Sequence, residues 1–482
     1  MIETIAGIGM SPVEILLLLG VAGLLSSRWC PPRARRPVAV AAAAVVALSG
    51  SVLAVRGLRW QMAPALGGVL VALAFAVPAL AGRPTRRVPR WLALPGVVVC
   101  LGLVCASAAA AWAVPVPVFP EPSGPYAVGT AVTQWTDTSR PEPATAEPGD
   151  HRTVVVQVWY PAPRGTTGPR ARYLGRTERE ARTVARGLTG YIGVPAFLLD
   201  DAARARTAAV YDAPVAAGRF PIVLFSPGLG GVRTQNTAWA EELAARGYVV
   251  AALDHPYDSA AVVLDDGRTI HTRVVATGDD EEDRRLAIGW TAVRAADLSF
   301  VLTQLGRVDR GEIRGPLTGR LDTARAAAAG HSIGGGAALQ AAHQDSRFAA
   351  VINLDGYPHD PAPRPYHQPV LALTHPVDPA DNPSYIPRLT RVLSLSTSES
   401  YQITVPGTAH LTFADAPLYL PPVPFVVGSL GRTGGLSVTT AATAAFLDAT
   451  LRDEPGDLAT ILRPYGELTV HRPAPARVPR TR

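Results

Sequence analysis

The chain has 482 residues, of which 48% are apolar and only 17% charged, so part of it faces something other than water and it is not a disordered chain. The net charge is +6, and the 45 basic residues are all arginines, scattered rather than gathered on one segment, which speaks against a nucleic-acid partner. The three cysteines, Cys30, Cys100 and Cys105, lie before residue 115 and show no CxxC spacing, so neither a disulfide in the rest of the chain nor a metal cluster is expected.

Four apolar stretches come first, at roughly 13–27, 38–55, 62–81 and 91–113. A membrane-crossing helix needs about 20 such residues, and four runs in succession argue against buried core helices. The flank of the first run is acidic (Glu3, Glu14), unlike the basic start of a cleaved signal peptide. Loop one carries Arg28, Arg33, Arg35 and Arg36, and loop three carries Arg83, Arg86, Arg87 and Arg90; loop two has only Arg56 and Arg59. Short basic loops stay in the cytoplasm. The expectation is a multi-pass protein of the cell membrane over residues 1–115, with everything that follows on the extracellular side. The spans carry almost no interior charge, which fits anchoring rather than transport.

Residues 116–150, rich in Pro, Ala, Thr and Glu, read as an extended linker or the start of the soluble domain. Beyond them, short buried strands alternate with helices. Strands are expected at Thr153–Tyr160, Phe220–Phe225, Tyr248–Leu253, Ala324–Ala329, Ala349–Leu354, Val370–Leu373 and Gln402–Val405, and helices at Ala238–Arg246, Ala287–Leu305, Ile333–His343 and Ser437–Leu451. This pattern indicates an α/β fold over residues 151–455, a mostly parallel sheet covered by helices on both faces, with 456–482 as a tail. In such sheets the site lies at the carboxyl ends of the strands.

Gly330-His331-Ser332-Ile333-Gly334 fits G-x-S-x-G, where small neighbours let a serine sit on a sharp strand-to-helix turn. A serine nucleophile needs a base, and the base needs an orienting acid, in the order Ser, Asp or Glu, His. His410 follows the last expected strand; His375 also follows a strand and competes with it. Asp355 and Asp378 each follow a strand and can each reach a histidine. Two backbone N–H groups must hold the developing oxyanion, from Ile333 after the nucleophile and from Leu229 in Ser226-Pro227-Gly228-Leu229-Gly230-Gly231. Asp254–Asp258 is expected to line or support the site, and Asp279–Asp283 reads as a solvated helix start without ordered calcium ligands.

The segments Phe225–Gly230, Gly330–Gly335, Asn353–Gly356 and Gly407–His410 resemble those of the plasma and isoform II platelet-activating factor acetylhydrolase family. The resemblance implies an α/β-hydrolase that works without calcium or another cofactor. It selects Asp355 over Asp378 and supports Leu229 and Ile333 as oxyanion donors. Pro227 stands where the animal enzymes have His, Gly356-Tyr357 replaces Ala-Trp, and the four-span region is an addition. The function expected is a membrane-anchored serine esterase with Ser332 as nucleophile, His410 as base and Asp355 as orienting acid, acting on lipid or short acyl esters. The alternatives are acyl transfer on the same residues, or a membrane protein that only binds its ligand.

Overall fold

The computed structural model describes residues 9–82, 90–380, 382–454 and 456–473. The chain divides into two units, Met1–Val116 with Tyr419–Pro421, and Pro117–Leu418 with Pro422–Arg482.

In the first unit helices form at Pro12–Ser26, Pro32–Arg56, Ala63–Leu80 and Arg90–Ala113, one for each apolar stretch. Ser11 starts the first: its hydroxyl accepts from the Glu14 N–H while the Glu14 carboxylate accepts from the Ser11 N–H. Glu14 also pairs with Arg59 at 3.2 Å, both buried. Ala39, Ala42, Ala72 and Ala76 pack with Val21 and Leu24, and such small side chains let helices approach closely. Leu19, Leu48, Val55 and Leu70 face outward. The helical segments Pro12–Trp29, Pro32–Arg56, Trp60–Leu80 and Ala93–Ala113 are long and apolar enough to cross a membrane. Arg83, Arg86 and Arg87 of the third loop lie outside the described residues. A fifth helix, Glu281–Asp309, meets the same length and composition. Its Ala295, Leu298, Val301, Leu302 and Leu305 instead belong to the core of the second unit.

The second unit holds strands β1 (Ala127–Pro141), β2 (His151–Ala162), β3 (Arg170–Arg172), β4 (Arg206–Tyr211), β5 (Phe220–Ser226), β6 (Val249–Asp254), β7 (Ala261–Val263), β8 (Thr269–His271), β9 (Leu321–His331), β10 (Phe348–Leu354), β11 (Val370–Thr374), β12 (Ser400–Thr404) and β13 (Glu467–His471). Eleven make one sheet in the order β13-β12-β11-β10-β9-β5-β6-β2-β1-β4-β3, and β7 and β8 form a separate pair. The strands from β12 to β6 run parallel. Beyond them β2 and β13 pair antiparallel with β6 and β12. Alternation along β5 sends Ile222 and Leu224 into one core and Val223 and Phe225 into the other. Helices Asp280–Asp309 and Ile333–Gln344 cover the first face, and Thr237–Ala245 and Gly431–Leu451 the second. This is an α/β-hydrolase fold.

Two boundaries differ from the sequence reading. The expected linker at 116–150 contains β1, which pairs with β2 along most of its length. The expected tail at 456–482 contributes β13, paired with β12 from Ser400↔His471 to Thr404↔Glu467. Both strands are fixed by pairing with partners that the local composition does not reveal.

After β6 the chain returns across β5 to add β9 on its other side. The direction of strand addition therefore reverses between β5 and β9, and the crevice of such a sheet opens at the carboxyl ends of that pair.

Candidate active site

β9 ends at His331, and the helix Ile333–Gln344 starts one residue after Ser332. Ser332 itself has φ 56° and ψ −128°. A non-glycine residue held there costs about 1–3 kcal/mol and persists only where its surroundings impose it. The imposing contacts are close: a Cβ on Gly330 would strike the backbone of Gly334, and one on Gly334 would strike the carbonyls of Ser226 and Pro227. The two glycines thus let β9, the turn and the end of β5 meet around the serine.

Ser332, Ile333, Leu229, Asp355 and His410 line one cavity of about 620 Å³. His375, Tyr357, His359, Trp290 and Tyr385 line it too. Asp355 directly follows β10, is 3% exposed and also has positive φ, 53°. Its Oδ2 lies 2.6 Å from His410 Nδ1 and 2.6 Å from His375 Nδ1. Its Oδ1 accepts from the His375 N–H at 3.1 Å and from the Tyr385 hydroxyl at 3.1 Å. Burial alone would raise this carboxyl, but the bonds from His375 and then His410 outweigh it and hold the group well below the usual range. The bond to Asp355 raises His375 against the opposing effect of burial. Burial, and then the nearby Asp355 charge, push the Tyr385 phenol far up, so it donates as a neutral hydroxyl. Asp378 is exposed, and its carboxylate accepts from the Ala380 N–H. Of the two acids left open by strand position, Asp355 is the one that meets a histidine, and it meets both candidates.

Asp355, His375 and His410 offer ligand atoms within 4.8 Å of one another, which invites a metal. Tetrahedral ligands about 2.1 Å from a zinc ion stand roughly 3.4 Å apart. The 2.6 Å separations from Asp355 Oδ2 are instead those of charge-assisted N–H···O bonds. The donor set fits the hydrogen-bonded reading.

The loop after β5 supplies the other half of the site. The Gly228 N–H is taken by Gln235 Oε1 at 2.9 Å, and the Gly231 N–H by the Gly228 carbonyl. The N–H groups of Leu229 and Ile333 meet no acceptor among the described residues. Gln235 continues the chain: its amide nitrogen lies 2.8 Å from His331 Nδ1, and His331 Nε2 lies 2.9 Å from the His410 carbonyl. The His331 and His410 ring centroids lie 4.7 Å apart, with the rings tilted by 37°. Burial, with His410 adding to it, pushes His331 down to about 3. His331 is therefore neutral, accepting from Gln235 and donating to the His410 carbonyl. Sequence reasoning used His331 only as filler of the motif, and Gln235 not at all; neither role has a local signature.

A second Ser–His–Asp set lies behind the loop. Ser226 Oγ is 2.9 Å from His255 Nε2, and His255 Nδ1 is 2.8 Å from Asp297 Oδ2. All three are completely buried, so this set meets no substrate. Burial, and then Arg294, push His255 down to about 4. Segment Asp254–Asp258 thus supports the site rather than lining it. Asp279 caps the long helix through the N–H groups of Glu281 and Glu282, as a solvated helix start should.

A family model described as platelet-activating factor acetylhydrolase, isoform II, matches residues 115–454. The platelet-activating factor acetylhydrolase of Bos taurus is 28% identical over 236 residues, 43% of this chain and 51% of the bovine protein. A probable 1-alkyl-2-acetylglycerophosphocholine esterase of Arthroderma benhamiae is 28% identical over 268 residues, 53% of this chain and 63% of that protein. The chain thus spans between half and two thirds of these curated relatives. Among solved structures, the ferulic acid esterase of Streptomyces cinnamoneus is 30% identical with a TM-score of 0.59, covering 73% of this chain and 98% of that one. With its matched segment taking in the whole site and more than half of its length, the chain belongs to the platelet-activating factor acetylhydrolase isoform II family.

Proposed function

We propose that this chain is a membrane-anchored serine ester hydrolase. The observation that carries the reading is the strained Ser332 facing a cavity shared with the Asp355–His410 pair and two unengaged N–H groups. Ser332 Oγ attacks the ester carbonyl while His410 takes its proton. The Leu229 and Ile333 N–H groups hold the oxyanion of the tetrahedral intermediate. His410 then protonates the departing alcohol, leaving an acyl-enzyme. Water, deprotonated by His410, hydrolyses it. Asp355 orients the imidazole and stabilises its charged form throughout.

The substrates proposed are lipid or short acyl esters. The relatives named for acetyl esters of glycerophosphocholine support this, as do the four apolar helices. The solved structure named as a ferulic acid esterase adds aromatic esters to the range to be tried. The catalytic unit is proposed to lie on the extracellular side, because loops one and three hold four arginines each and loop two only two.

The test is fluorophosphonate labelling of the full chain in detergent, wild type beside Ser332→Ala. Labelling that vanishes with the substitution is the expected result. Equal labelling of both, or none of a folded wild type, refutes the reading.

A further inference from the structure

The oxyanion loop is held from beneath by one buried guanidinium. Arg294, on the helix Asp280–Asp309, is completely buried. Its Nη1 donates to the Pro227 carbonyl at 2.6 Å and to Ser226 Oγ at 3.2 Å. Its Nη2 donates to the Gly228 carbonyl at 3.0 Å. Asp258 fixes the guanidinium from the far side, with Oδ2 at 2.7 Å from Nε and Oδ1 at 2.7 Å from Nη2. The hydroxyl of Ser226 accepts from Arg294 and donates to the neutral His255, which is anchored on Asp297.

The consequence follows from peptide geometry. In a trans peptide the C=O and the next N–H point in opposite directions. Turning the Pro227 carbonyl onto Arg294 sends the Gly228 N–H the other way, where Gln235 takes it. Turning the Gly228 carbonyl onto Arg294 sends the Leu229 N–H away from the guanidinium, and Leu229 lines the cavity. We infer that Arg294 is a positioning residue that presets the Leu229 N–H for the oxyanion, with the buried Ser226–His255–Asp297 set serving as its brace. The helix that looks apolar enough to span a membrane thus carries the cation that shapes the site.

This inference rests on the hydrolase reading, and the experiment separates the two. The full chain in detergent is assayed as wild type, Arg294→Lys, Ser226→Ala and Ser332→Ala. The probes are p-nitrophenyl acetate for turnover and a trifluoromethyl ketone, whose adduct with serine bears an oxyanion. Lysine keeps the charge beside Asp258 but cannot fork to two carbonyls. For Arg294→Lys the expected result is a kcat about a hundredfold lower, the scale of one lost oxyanion donor. KM stays within threefold, and the ketone's inhibition constant rises in proportion to the loss of kcat. A merely structural role would lower thermal stability without that proportionality. A folded Arg294→Lys with kcat and ketone affinity within threefold of wild type overturns the inference. Should Arg294→Lys fail to fold, Ser226→Ala decides: about a tenfold fall in both quantities supports it, and no change in either overturns it. Turnover retained by Ser332→Ala sinks the hydrolase reading itself; its loss beside an unaffected Arg294→Lys sinks only the inference.

Discussion

Two histidines share one carboxylate oxygen, and removing each should have a different consequence. Both Nδ1 atoms lie 2.6 Å from Asp355 Oδ2. In His410→Ala the proton acceptor for Ser332 is gone, and loss of a member of such a unit costs about 10⁴- to 10⁶-fold in kcat, roughly 5–8 kcal/mol of barrier. In His375→Ala the carboxylate keeps His410, the Tyr385 hydroxyl and a main-chain N–H. It stays ionised and keeps His410 oriented, so kcat should remain within about tenfold of wild type. The loss appears in stability instead. One charge-assisted bond is worth about 1.5–3 kcal/mol, and the 28% exposure of His375 places the cost at the lower end. Its pH course is also set. Because the folded state raises His375, its contribution is fully present below the unfolded value near 6.5 and is lost as pH rises through the folded value. The stability gap between wild type and His375→Ala should therefore narrow in alkali. The assays are p-nitrophenyl acetate turnover and thermal melts from pH 5 to 9. A His375→Ala variant that loses more than a thousandfold in kcat, beside a His410→Ala variant that does not, would falsify the assignment and exchange the two roles.

Other expectations follow from the same geometry. His255, held near 4 in the folded chain, protonates near 6.5 when unfolded, so the unfolded state binds the extra proton between those values. From this group alone stability should fall by about 3 kcal/mol as pH drops from about 6.5 toward 4; chemical denaturation of wild type beside His255→Gln across that range checks it, and a stability difference between the two that does not change with pH refutes it. Glu241 is fully buried and pushed up to about 7 by burial, while accepting from the N–H groups of Ala208 and Ala209. It opposes folding as pH rises from about 4.5 to 7, so Glu241→Gln should flatten that part of the stability curve. Gly334→Ala, whose new methyl would strike the Ser226 and Pro227 carbonyls, should abolish fluorophosphonate labelling even where circular dichroism reports a folded chain. External protease on intact cells should digest residues 117–482 if that unit lies outside; protection until lysis would reverse the proposed topology.

What the sequence made legible is what short-range chemistry dictates. The Ser332 turn needs glycines on both sides in sequence, so the motif announced itself. Runs such as Phe220–Phe225 are buried on both faces and read as strands from composition alone. Asp355 and Asp378 could not be separated by strand position, because the choice depends on which loop folds inward over the sheet. β1 was hidden by the proline-rich composition around it, and β13 by its place in a polar tail; both owe their form to long-range pairing. The supports of the site were least legible. Arg294 lies 66 residues from the Gly228 carbonyl it holds, and Gln235 lies 96 from His331. Nothing local marks an arginine or a glutamine for such work.

The bridge from Gly228 through Gln235 and His331 to the His410 carbonyl restricts how this site can change. Gln235 donates a hydrogen bond to His331 Nδ1, and His331 Nε2 donates one to the His410 carbonyl. Replacing either residue alone leaves a partly buried polar atom without its partner, at up to about 1–3 kcal/mol, whereas exchanging both for shape-matched apolar groups can be nearly neutral. The two positions are therefore locked in step: a redesign that alters the residue before the nucleophile must alter the loop beyond the oxyanion donors at the same time, or leave both untouched.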